Sequence, residues 1–181
     1  KEGNTDTTVQ QEMALDRIRQ LSAHEVGHTL GIAHNFAASE NNRASVMDYP
    51  HPKISIKNGK ISLEGAYDKG IGAWDIHAVA YGYQDFASDV EEAEALAKII
   101  VKGRNEGLSF KSDPDTRSSR HASANGHMWE NGSNPLDAFD EISQVREQAL
   151  ANLGLDTLSP SSSLSSLENA LVPIYLLHRY Q

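Results

Sequence analysis

Along the chain, apolar residues first recur at helical spacing at Leu15, Ile18 and Leu21, after a polar opening at Lys1–Asp6, and this predicts a helix that ends near Gly31. Residues 35–52 lose the period and carry Pro50 and Pro52, so they read as an irregular loop. Ile54 and Ile56 then alternate with polar residues, Asn58-Gly59 follows, and Ile61 and Leu63 resume the alternation, the pattern of a small exposed hairpin with a tight turn. A second helical stretch runs from Gly72 to about Phe86, with Trp74, Val79 and Tyr81 as candidates for burial, and a third, rich in Glu and Ala, from Ser88 to about Gly103. Between Gly107 and Pro135 the turn formers Asp113-Pro114-Asp115, Ser118-Ser119, Asn125-Gly126 and Asn131-Gly132 predict a long loop. Two more helices are expected, from about Pro135 to Leu153 and from about Ser163 to the end, separated by the serine-rich stretch Ser159–Ser163. The chain is thus mainly α with one hairpin, and it contains no internal repeat.

A chain of 181 residues, 39% hydrophobic and 23% charged, is long and apolar enough for one folded domain. Its net charge of −9 and the absence of a basic stripe argue against a nucleic-acid partner. The longest apolar stretches, such as Leu171–Leu177, fall far short of the roughly 20 residues a membrane-spanning helix needs. The polar opening residues do not read as a signal peptide, and the natural N-terminus is expected to lie further upstream. With no cysteine there is neither a disulfide framework nor a thiolate nucleophile, so any metal must be held by histidine and carboxylate.

That restriction gives weight to one stretch, His24-Glu25-Val26-Gly27-His28-Thr29-Leu30-Gly31-Ile32-Ala33-His34, the pattern H-E-x-x-H-x-x-G-x-x-H. At about 100° per residue, His24 and His28 lie roughly 40° apart on one helix face, so both imidazoles reach one metal. His34 would point elsewhere if the helix continued. Gly31 allows the chain to turn, because glycine enters left-handed conformations freely and is favoured just past a helix end. Three neutral imidazoles leave a zinc ion with an open position for water, the arrangement of a catalytic site. Glu25, outside the ligand set, is placed as general base to take a proton from that water and pass it to a leaving amine. A short H-E-x-x-H can arise by chance among exposed histidines, but the five specified positions make a chance match on the order of 10⁻⁴.

These residues resemble the metzincin clan of zinc endopeptidases. A second feature agrees: Ser45-Val46-Met47-Asp48-Tyr49, eleven residues after His34, looks like the tight methionine turn of that clan. The resemblance implies that Met47 forms an apolar floor under the histidines, suited to its soft side chain, and is not a ligand. It also implies a candidate catalytic role for Tyr49, whose phenol could donate to a developing oxyanion; a tyrosine simply packed on Pro50 in the turn is the alternative. Asp75–Gly82 resembles the helix that closes many metzincin domains. The run from Leu21 through Gly82, together with Leu171–Gln181, is similar to the bacterial Met-zincin family of zinc-dependent metalloproteases. The likeness implies a metzincin-like α+β catalytic domain, a Zn2+ cofactor, a peptide or protein substrate, and an extracellular or periplasmic location. Residues 1–86 would be the zinc-binding half, with 87–181 a helical region packed on it in one compact unit.

One departure matters. Metzincins place a twisted sheet before the active-site helix, and here only about twenty residues precede His24. The chain is therefore expected to be a fragment of a longer protein, weakly active or inactive alone. Of the other histidines, His51 follows the methionine turn and is a weak candidate for lining the cleft, and His77 reads as packed along a helix. His121 and His127 share the long loop with Asp113, Asp115 and Trp129, where a second metal or a substrate-covering flap is conceivable. His178 has no evident partner. Glu91, Glu92 and Glu94 read as a solvated helix face favoured by the helix dipole. Beside the peptidase reading stands a zinc-holding module that has lost catalysis; retention of Glu25 favours the enzyme.

Overall fold

The longest helix, α1 (Thr8–Thr29), buries a face that the apolar pattern does not pick out. In the computed structural model, which describes residues 7–116 and 123–180, the buried residues of α1 are Asp16, Gln20, His24 and Gly27, while Leu15, Ile18 and Leu21 stay exposed. Positions 16, 20, 24 and 27 form one stripe at helical spacing. Polar groups on such a stripe are tolerated when they find partners. Here Gln20 Nε2 and His24 Nδ1 both meet the Val46 carbonyl, at 3.1 and 2.7 Å, and Asp16 pairs with Arg19 at 2.7 Å and Lys69 at 3.6 Å. The helix ends as its glycine suggests. Gly31 has φ +78, its N–H donates to His28 O at 2.9 Å, and Ile32 N–H reaches back to Gly27 O at 3.1 Å. These are the two bonds of a left-handed helix cap.

Residues 35–52 are irregular as expected, apart from a short 3-10 turn at Ala38–Asn41. They pass beneath α1, where Ala44, Val46 and Met47 join Trp74 in the main apolar core, flanked by Ala23, Ile32, Ala78 and Leu108. The approach is close enough that a Cβ on Gly27 would lie 2.2 Å from Met47 Sδ, so any larger residue there would have to displace the thioether. The hairpin forms from β1 (Ser55–Lys57) and β2 (Lys60–Ser62), antiparallel with Ile56 opposite Ile61; Asn58 and Gly59 both take positive φ, as a two-residue turn requires.

Helix α2 (Ala73–Tyr83) starts where the Asp75 carboxylate accepts the Gly72 N–H at 2.7 Å. It buries Trp74 as expected, whereas Val79 is half-buried and Tyr81 exposed. Its far end is tied to the end of α1 by the Tyr83 hydroxyl, which donates to Leu30 O at 2.6 Å. Helix α3 (Glu92–Asn105) begins four residues later than Ser88, with Glu92 and Glu94 in its first turn, and packs on α2. Among the described residues, the long connection after it holds the single turn α4 (Asp113–Thr116) before α5 (Pro135–Ala151). Asn134 caps α5 by accepting the Leu136 N–H at 3.0 Å. Helix α5 buries Ala138, Ile142 and Val145 and packs on the hairpin, on α6 (Leu167–Leu176) and on the 3-10 turn Leu177–Tyr180. The architecture among the described residues is mostly helical with one two-stranded antiparallel sheet.

Candidate metal centre

His24 and His28 lie one turn apart on α1, and the reversal at Gly31 brings His34 back to them. Their rings stand 4.6 Å (His24–His28), 4.8 Å (His28–His34) and 5.3 Å (His24–His34) apart, and one ring nitrogen from each lies within 4.8 Å of the others. Among the described residues this is the group of His, Asp and Glu side chains that could hold a metal ion. In each ring the outer nitrogen is engaged. His24 Nδ1 meets Val46 O at 2.7 Å, His28 Nδ1 meets Ile32 O at 3.0 Å, and His34 Nδ1 meets Asp113 Oδ2 at 2.7 Å. Carbonyl and carboxylate oxygens can only accept, so each Nδ1 carries the proton and each Nε2 presents a lone pair.

His24 is 1% exposed, and its Nε2 is buried without a hydrogen-bond partner. A buried polar atom left unpaired costs about 1–3 kcal/mol, a cost that an electron-pair acceptor at that point removes. Burial also holds the His24 pKa below its usual value, with the Val46 carbonyl opposing and the neighbouring His28 and His34 adding to the shift. The neutral imidazole that metal ligation needs is therefore the favoured form. The donor set and its protonation fit a metal ion.

Around the trio, Tyr49 stacks on His24 at 4.9 Å, and its hydroxyl donates to His34 Nε2 at 3.0 Å. The phenol thus sits on the inward side of the histidines, while Glu25 is exposed on the same helix. Met47 is 1% exposed and lies against Gly27, one turn from His24. Below it, Asp75 accepts from Ser45 Oγ at 2.6 Å and Val46 N–H at 2.8 Å, and Ser45 Oγ in turn accepts the Met47 N–H at 2.9 Å, so both sides of the residue whose carbonyl engages His24 are held. Asp48 is 2% exposed, and its carboxyl is pushed up to about 7 by burial, with the nearby charge of Glu130 adding to the effect.

The remaining histidines stay outside the trio. His51 is half-buried with its pKa lowered by burial, and its carbonyl accepts from Asn131 Nδ2 at 2.9 Å. The His77 ring packs against Gly103 of α3. His178 meets Phe139 edge-on at 6.2 Å. His121 lies outside the described residues, His127 is exposed, and Asp113 turns to His34 instead of joining a second cluster. Asp115 accepts from Ser112 N–H at 3.0 Å, and Trp129 N–H donates to Tyr49 O at 2.9 Å, which joins the long loop to the turn at Met47. Sequence reasoning does not find Asp113 or the Val46 carbonyl as partners of ligand histidines. It places Asp75 only as part of a helix, although a carboxylate three residues after Gly72 is a legible capping signal.

The family model described as Met-zincin matches residues 6–181, nearly the whole chain. The chain belongs to the Met-zincin family. No curated protein and no solved structure matches it. For a Met-zincin protein the general reading is a metallopeptidase, with zinc as the implied ion and a peptide or protein as the implied substrate, and the three convergent histidines could hold that ion. No helix of the described residues is long and apolar enough to cross a membrane.

Proposed function

We propose that this protein is a zinc-dependent endopeptidase in which His24, His28 and His34 hold the metal through Nε2 and Glu25 is the general base. The observation that carries the proposal is the convergence of three lone pairs whose outer nitrogens are all engaged, with His24 Nε2 buried and unpaired at the centre. Zinc held there supplies a Lewis acid and lowers the pKa of a water to about 7.

The chain's own residues do the rest. Val46, Ile32 and Asp113 hold the three rings in one tautomer, with each Nε2 unprotonated; the Tyr49 hydroxyl, which donates to His34 Nε2, has to turn aside for that nitrogen to bind a metal. Glu25, one residue from His24 and open to solvent, takes a proton at its carboxylate and delivers it to the leaving amine. The Tyr49 hydroxyl, already a donor toward the centre, can turn to the oxyanion that develops on the scissile carbonyl. Gly31 turns the chain back to bring His34 in, and Met47 gives the rings an apolar floor. Residues 1–86 form the zinc-binding half and 87–181 a helical region packed on it, and the resemblance to exported bacterial proteases supports an extracellular or periplasmic site of action.

The test is metal content per chain by mass spectrometry after dialysis against metal-free buffer. About one zinc in the parent and a sharp loss in His34→Ala is the expected result. No zinc in the parent, even after adding it back, overturns the reading. In the zinc-loaded full-length protein, Glu25→Ala should keep the metal and lose at least about 10²-fold in peptide hydrolysis; unchanged hydrolysis would sink the assignment of the base.

A further inference from the structure

Asp113 lies 79 residues beyond His34, in a stretch whose composition marks it only as loop, yet its Oδ2 is 2.7 Å from His34 Nδ1. The contact is built from both sides. Asn35, next to His34 and 0% exposed, donates through Nδ2 to Ser109 O at 2.9 Å and accepts through Oδ1 from Lys111 N–H at 3.1 Å. The neighbouring Phe36 N–H donates to Lys111 O at 2.7 Å. Residues 109–111 are thus laid along 35–36 like a short strand, although the first of these segments lies far downstream and the second directly succeeds the active-site helix. Asn35 N–H also donates to Met47 O at 3.0 Å, so one buried amide residue joins the third histidine, the turn at Met47 and the downstream segment. Phe110 of that segment stacks on Trp74 with centroids 5.5 Å apart and planes 9° from parallel, which anchors it to the main core.

From this geometry we infer that Asp113 is a positioning residue of the metal centre, brought to His34 by the clamp that Asn35 makes on residues 109–111. The inference rests on the zinc reading of the three histidines. Of the three rings, only His34 has a carboxylate on its outer nitrogen; His24 and His28 have backbone carbonyls. A carboxylate there fixes the tautomer, holds the ring plane and raises the electron density that Nε2 offers a cation. Partners of this kind alter metal affinity by roughly 10–100-fold when removed. His34 also stands just beyond the end of α1, where no helix backbone fixes it, so it is the ligand with most to gain from an external hold. Residues 107–116 then belong to the metal centre, and the single turn α4 serves to present Asp113.

The experiment measures zinc affinity by chelator competition on the whole chain, for the parent, Asp113→Asn, Asp113→Ala and the control Asp115→Asn. The visible spectrum of the cobalt(II)-loaded forms and the urea midpoint of the metal-free forms are read alongside. Expected are a loss of affinity of roughly 10-fold or more for Asp113→Asn and up to about 100-fold for Asp113→Ala, a changed cobalt spectrum, and little change for Asp115→Asn. Metal-free stability should fall little, since the Asp113 side chain is 38% exposed. Parent-like zinc affinity in both Asp113 variants would overturn the inference while leaving the metal site intact. So would an affinity loss matched by an equal loss of metal-free stability with an unchanged cobalt spectrum, because that describes a merely structural contact. A parent that binds no zinc removes the metal centre itself, and the inference with it.

Discussion

Replacing Asp75 should damage the metal centre without touching a ligand. Its carboxylate, 3% exposed, accepts from Ser45 Oγ at 2.6 Å, Val46 N–H at 2.8 Å and Gly72 N–H at 2.7 Å. In Asp75→Asn one oxygen becomes a donor. If the amide nitrogen takes the Oδ2 position, it faces the N–H groups of Val46 and Gly72 and both lose their acceptor. If it takes the Oδ1 position, Ser45 Oγ must accept from it while already accepting from Met47 N–H at 2.9 Å. Hydrogen bonds to a charged partner contribute about 1.5–3 kcal/mol each, so the loss of one or two in a buried place gives about 3 kcal/mol. Asp75→Ala orphans all three donors and should cost more, a large part of the roughly 5–15 kcal/mol that holds a typical domain together. Urea unfolding of the metal-free protein reads the first cost. Zinc competition reads the second, because Val46, whose N–H Asp75 accepts, also carries the carbonyl on His24 Nδ1. An Asp75→Asn variant within about 0.5 kcal/mol of the parent, with parent-like zinc affinity, would refute this chain of contacts.

Asp48 should make the metal-free fold pH-sensitive. Its folded pKa of about 7 lies above the ordinary value of 3.8, so the unfolded chain ionises first, and stability falls as pH rises from about 4 to 7 and levels off above that. The full span is on the order of 4 kcal/mol. Asp48→Asn keeps the oxygen that accepts the Tyr49 N–H and should therefore be more stable than the parent at pH 8 and no more stable at pH 4; the reverse order in urea midpoints in chelator-containing buffer would contradict it. Met47→Leu conserves volume and removes no ligand, so about 1 kcal/mol of stability should go while zinc stays; loss of zinc in that variant would show that the thioether does more than pack.

What the sequence discloses of this site is what lies close along the chain. His24 and His28 share a helix turn, and a glycine three residues on allows the reversal, so the trio needs only the geometry of one helix and its cap to be legible. The hairpin is legible for the same reason, since Asn58-Gly59 specifies its own turn. The orientation of α1 is not. Leu15, Ile18 and Leu21 point to one face, yet the buried one carries Asp16, Gln20 and His24, because the peptide at Val46 offers partners there. Hydrophobic periodicity records the sum of apolar area and is blind to a carbonyl 22 residues away from His24. Asp113 is the extreme case: nothing near it in sequence distinguishes it from Asp115, two residues on, and only the clamp by Asn35 selects which of the two reaches His34. A motif scan therefore finds the atoms that would touch the metal and omits the residues that aim them. In this chain those residues, Val46, Asp75 and Asp113, come from three separate stretches that meet only when the chain between them folds.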